Sequence, residues 1–153
     1  MLHPRAVISA LLLFASSCDG ADGPPDAPPY QLPAGDPDGG GVAGTLATDL
    51  GPAEAQSARL FVGAWQPDGG LLVAVDLGMV TFPAPYRLDN IPAGGREIHA
   101  LLDVPPFAAQ PLLERPSFED ATGAFPNAQA PLAVEVRPGL VTTRINFLAS
   151  RRP

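Results

Sequence analysis

Lysine is absent from the 153-residue chain, and Arg carries the whole cationic load, nine residues against sixteen Asp and Glu for a net charge of −7. No basic patch exists to displace counterions from a phosphate backbone, so nucleic acid drops out as a partner. Cysteine occurs once, at position 18. That excludes an intramolecular disulfide, a cysteine cluster for zinc and a CxxC redox pair. No stretch reaches the ~18 consecutive apolar residues of a membrane-spanning helix. Helical periodicity longer than two turns is missing. So is any Gly-rich loop that follows a strand and opens a helix, which removes phosphate and dinucleotide binding.

Proline and glycine are plentiful instead, at 20 and 16 residues, and they divide the chain into zones. Arg5 and the amino terminus form a short positive patch. Residues 6–15 (AVISALLLFA) are apolar, and Ser16-Ser17-Cys18 closes the segment with small side chains. A positive start, an apolar core of about 7–15 residues and a small-residue exit define a secretory signal peptide, expected at 1–17. As a helix this core rises only about 15 Å, half the roughly 30 Å hydrocarbon layer. The segment directs export and does not span.

Ala15-Ser16-Ser17-Cys18 resembles the lipobox of bacterial lipoproteins, with Ala15 where Leu is commoner. The resemblance implies that Cys18 carries a thioether-linked diacylglycerol, becomes the mature amino terminus and gains a further acyl (palmitate-type) chain. At about 0.8 kcal/mol per buried CH₂, two or three chains anchor firmly where one binds only marginally. The implied location is the cell envelope, at the outer membrane or the extracytoplasmic face of the inner membrane. Without the leader, eight Arg face sixteen acidic residues, a net charge of −8.

Residues 18–41 read as the anchor site and a tether. Six Pro and five Asp fall in 19–41 with almost nothing to bury, so the segment is expected to stay disordered. An extended Pro-rich chain at about 3.1 Å per residue would reach up to roughly 70 Å, less where Gly softens it.

From Val42 the texture changes to period-2 alternation, and residues 42–150 read as one domain. Leu60, Val62 and Ala64 share one face of a strand, with Phe61 and Trp65 on the other. Pro67-Asp68-Gly69-Gly70 is a hairpin signal, and Leu71, Val73, Val75 and Leu77 follow on one face. Tyr86 and Leu88 alternate with Arg87 and Asp89. Ile98, Ala100 and Leu102 oppose Glu97, His99, Leu101 and Asp103. Leu132, Val134 and Val136 lead into Pro138-Gly139, placed as a type II turn wants them, then Val141, Thr143, Ile145 and Phe147. About seven strands in this spacing predict an all-β, seven-stranded antiparallel sandwich.

Gly41-Val42-Ala43-Gly44-Thr45-Leu46 resembles the G-x-V-x-G-x-V opening of carboxypeptidase-regulatory-like and transthyretin-like domains. Tyr86-Arg87-Leu88-Asp89-Asn90-Ile91-Pro92-Ala93-Gly94 is similar to their strand-turn of aromatic-x-hydrophobic-x-x-hydrophobic-Pro-x-Gly type. Gly95-Arg96 departs from the Gly-x-aromatic start of the family's next strand. The resemblance covers roughly residues 41–149. It implies a prealbumin-like (Ig-like) sandwich that acts as a binding or scaffolding accessory and brings no catalytic residues.

Residues 104–130 form the one long connection. Five prolines forbid a long helix there, and Phe107, Leu112, Leu113, Phe118 and Phe125 are too many apolar groups to float in water. The connection is expected to fold back over an edge or end of the domain. Phe107, Phe118 and Phe125 are its candidate binding surface. Asp103, Glu119 and Asp120 are candidate calcium ligands, although Ala121 to Ala124 lacks oxygen ligands at alternate positions. His99 is the one histidine of the mature chain, with Glu97 and Asp103 on its strand face. No G-x-S-x-G context supplies a nucleophile, and Ser57, Ser117 and Ser150 sit in turn or terminal settings. Trp65 and Phe61 are open to two readings, a carbohydrate-stacking platform or core.

The expectation is therefore a non-enzymatic, cofactor-free module that binds an envelope or extracellular component through an edge strand or the 104–130 connection. The alternatives are a small-ligand module for carbohydrate or calcium and, remotely, a hydrolase using His99.

Overall fold

The computed structural model describes residues 32–109, 111–112 and 116–151. The expected leader at 1–17, the expected lipidation site Cys18 and the tether to residue 31 lie outside the described residues. Within them the chain is mostly β, with strands β1 (Gly40–Thr48), β2 (Arg59–Trp65), β3 (Leu71–Met79), β4 (Ala84–Ile91) and β5 (Gly94–Asp103). Four shorter strands follow: β6 (Ala121–Ala124), β7 (Val134–Val136), β8 (Val141–Thr142) and β9 (Phe147–Arg151). One helix, α1 (Pro52–Ser57), has Pro in its first turn, where the missing N–H is harmless. Among the described residues no helix is long and apolar enough to cross a membrane.

The strands form one nine-stranded mixed sheet in the order β3-β2-β5-β6-β9-β1-β4, with β7 on the start of β5 and β8 on the start of β1. It curls strongly into a half-barrel, bringing the two end strands, β3 and β4, near one another. In place of the expected seven-stranded antiparallel sandwich there is one sheet with parallel pairs on β1, and two further differences set the strand count. β6 lies inside the connection expected to be strandless. And the last expected strand breaks in two, because Arg144 takes a left-handed φ of 65°. Around that break Ile145 N–H donates to the Ala43 carbonyl at 3.2 Å, and the Asn146 side chain accepts from Thr45 N–H at 2.8 Å. Both halves, β8 and β9, therefore run parallel to β1. Gly44 is what lets the break approach: a Cβ there would run into the Ile145 carbonyl.

The core fills the inside of the curl. Val42 and Leu46 of β1, Leu60 and Val62 of β2, Leu88 of β4, and Ile98 and Leu102 of β5 join one buried cluster. Each fully buried aliphatic side chain contributes about 1.5–3 kcal/mol. The predicted alternation is seen directly in β4, where Tyr86 and Leu88 are buried and Arg87 and Asp89 exposed. Tyr86 donates its hydroxyl to the Ile145 carbonyl at 2.6 Å and meets Phe147 edge-to-face at 5.9 Å. Burial pushes its phenol pKa above the ordinary tyrosine range.

The predicted turns close as expected. Gln66 N–H donates to the Gly70 carbonyl at 2.8 Å between β2 and β3. Leu140 N–H donates to Arg137 at 3.1 Å across Pro138-Gly139, with Gly139 at φ 70° as a type II turn requires. The tether, expected to stay free to Gly41, joins the fold earlier. Ala34 pairs antiparallel with Val73 of β3, and Asp36 N–H donates to the Asn90 carbonyl at the end of β4 at 2.6 Å. Residues 34–36 thus bridge the open seam of the half-barrel.

Candidate functional site

Alternation along β5 sends Ile98, Ala100 and Leu102 into the core and leaves Glu97, His99, Leu101 and Asp103 on the outer face. The antiparallel register with β2 sets Gly63 opposite His99 and Trp65 opposite Glu97. Gly63 has no Cβ, and the Trp65 indole occupies that space: a Cβ would stand 2.6–2.7 Å from its six-membered ring. His99 meets Trp65 edge-to-face, with ring centroids 5.1 Å apart. Its Nε2 lies 3.0 Å from Glu97 Oε2, and both side chains are partly buried.

Trp65 and His99 line one end of a cleft of about 470 Å³ on the outer face. Its floor is β5, β6 and β9, with Thr122 and Ser150 contributing hydroxyls; Pro111, Leu112 and Pro116 of the long connection overhang it, and Ala128 and Gln129 form a rim. Arg151 closes another side. Its Nη2 lies 3.0 Å from Glu54 Oε1 of α1, and its Nε donates to the Glu119 carbonyl at 3.0 Å. One strand-end cation thereby ties helix, connection and sheet together.

The connection is pinned over the sheet by two carboxylates. Asp120, 6% exposed, accepts from Val104 N–H at 2.9 Å and Ser117 N–H at 2.6 Å. Asp103, 2% exposed, accepts from Ala108 N–H at 3.2–3.3 Å. Two of the three calcium candidates are therefore acceptors for loop amides, and the third, Glu119, joins through its backbone carbonyl to Arg151. Among the described residues no group of three or more His, Cys, Asp or Glu side chains could hold a metal ion.

The three phenylalanines do not form one surface. Phe118 is 86% exposed and Phe107 47%, whereas Phe125 packs against the core. Phe125 follows β6, and its N–H still donates to Ile98 at 2.9 Å, so the strand's alternation turns its ring inward. Trp65 and Phe61 do share the outer face, but Phe61 is buried beneath the Arg59 guanidinium, 5.2 Å from its ring centroid. A two-ring platform is therefore replaced by Trp65 beside His99. Ser57 and Ser117 are spent on local turns, Ser57 Oγ donating to the Glu54 carbonyl and Ser117 Oγ accepting from Glu119 N–H. Ser150, Thr122 and Gln129 at the cleft carried no sequence signal, because their placement depends on β6. No protein-family model matches the chain, and no curated protein matches it either.

Proposed function

We propose that this chain is a lipid-anchored protein of the bacterial cell envelope, held by Cys18, whose β domain binds another component through the outer-face cleft and performs no catalysis. The observation that carries the reading is the cleft itself. It combines a half-buried aromatic ring with hydrogen-bonding side chains, and its volume falls in the ~300–1,000 Å³ range of small-ligand sites. Its floor is the interior of a sheet, so its side chains are held rigidly. Strand addition at an edge is the weaker route, because β3 and β4 approach one another and residues 34–36 bridge them. A prealbumin-like ancestry belongs to the same proposal. What supports it is that Gly41 to Leu46 lies in β1 and the Tyr86 to Gly94 segment runs from β4 through the turn into β5.

The test is proximity cross-linking on intact cells, native chain against Cys18→Ala, with captured species identified by mass spectrometry. The proposal expects an envelope component captured reproducibly by the native chain and lost with the anchor. Capture of nothing specific by a lipidated, abundant protein overturns it.

A further inference from the structure

We infer that the ligand of this cleft is an uncharged saccharide, with Trp65 as its stacking plate; the inference rests on the cleft being the binding site. Four features of the cleft converge. The first is the plate. Trp65 is the chain's only tryptophan, and its ring is seated over Gly63 where any side chain would displace it. An indole face is electron-rich, and the C–H groups of a sugar ring carry the complementary partial charge.

The second is the hydrogen-bonding set. Thr122 and Ser150 offer hydroxyls, Gln129 an amide and His99 an imidazole, so the cleft presents donors and acceptors together. A polyhydroxylated ring, each hydroxyl able to donate and accept, uses both. The third is charge. Among the described residues lining the cleft, the arginine, Arg151, is paired with Glu54, and His99 Nε2 lies 3.0 Å from Glu97 Oε2. Among the described residues an anionic ligand would meet no unpaired cation, and it would lose its hydration without replacement.

The fourth is the floor. β5 lies between β2 and β6, and β6 lies between β5 and β9, so these strands have neighbours on both edges. A peptide laid in the cleft would find no free row of N–H and C=O groups for strand addition. It would have to rely on side chains alone. A saccharide needs nothing else.

The mature chain carrying Cys18→Ser is titrated with cellobiose, maltose and N,N′-diacetylchitobiose. Trp65 fluorescence and calorimetry are read in parallel, with glucuronate and glucose 6-phosphate as charged controls. At least one disaccharide is expected to give a saturable fluorescence change, and the charged sugars to bind no better. Calorimetry on Trp65→Ala and Thr122→Val is expected to show roughly tenfold weaker binding for each, the loss typical of a central contact. Thr122→Val keeps the shape of its side chain and a strand-compatible residue, so it decides the matter if Trp65→Ala unfolds. No saturable response to any of the three disaccharides overturns the inference, as does a preference for the charged sugars or undiminished binding by Thr122→Val. If the sugars fail while cell-surface cross-linking still captures a partner, the saccharide reading falls and the binding-module reading stands. If both fail, both fall.

Discussion

Asp120→Ala removes one buried carboxylate and leaves two backbone donors facing the gap. Val104 N–H, 2.9 Å from the carboxylate, belongs to a buried residue and would lose this acceptor. A buried donor left unsatisfied after losing a charged acceptor costs about 1.5–3 kcal/mol. Ser117 N–H, at 2.6 Å, belongs to an exposed residue. Water can replace the carboxylate there, so its share is about 0.5–1 kcal/mol. The sum is a destabilisation of about 2–4 kcal/mol. A domain of this size shifts its Tm by roughly 3–6 °C per kcal/mol, so the melting point should fall by about 6–24 °C. Urea unfolding followed by circular dichroism measures the free energy, and Asp120→Asn supplies the internal comparison. The amide keeps one acceptor oxygen but turns donors toward the second N–H, so about half the loss is expected. A loss below roughly 0.5 kcal/mol for Asp120→Ala, within the range of ordinary surface changes, would refute the claim that this carboxylate pins the connection over the sheet.

Four further outcomes follow from the same geometry. Gly44→Ala should destabilise by about 3 kcal/mol or prevent folding, because its Cβ meets the Ile145 carbonyl and backbone cannot move aside cheaply; urea midpoints with an unchanged slope would measure it. Tyr86→Phe should cost about 1–2 kcal/mol at neutral pH by orphaning the Ile145 carbonyl, read by the same unfolding assay. The wild-type chain should also lose stability above pH 10. The unfolded tyrosine releases its proton near pH 10 while the buried phenol, its pKa raised, holds it, so stability is full below that pH and declines by up to about 1.4 kcal/mol per pH unit beyond it. Tyr86→Phe should remove that slope. Gly63→Ala should displace the Trp65 ring, shift its fluorescence emission and weaken ligand binding, with a stability change of about 1–3 kcal/mol; an unchanged emission spectrum would contradict the seating of the ring.

Much of the fold can be read directly from the residues, and the remainder fails for identifiable reasons. β2, β4, β5 and the turns at Pro67-Asp68-Gly69-Gly70 and Pro138-Gly139 follow from period-2 alternation and local turn chemistry, which are properties of adjacent residues. β6 does not, because Ala121-Thr122-Gly123-Ala124 has no apolar alternation and becomes a strand only by pairing between β5 and β9. The break at Arg144 interrupts an alternation that continues without a gap in the letters. Residues 34–36 look like tether until β3 and β4 are brought close enough to be bridged. Asp103 and Asp120 look like solvated acids or metal ligands until the connection folds back and offers them amides. The cleft combines these difficulties. Trp65 and His99 lie 34 positions apart and meet through the β2–β5 register, while Thr122 and Ser150 arrive through the strand that leaves no pattern.

The outer-face cleft is the proposed working surface, and position-resolved cross-linking tests it most directly. A photoreactive residue is placed either at Gln129, on the rim of the cleft, or at Arg87, exposed on β4, and the full-length chain is irradiated on intact cells. Cross-linked product from Gln129, abolished by Trp65→Ala and absent from Arg87, is the predicted result. Product from Arg87 with none from Gln129 would place the working surface elsewhere and contradict the account.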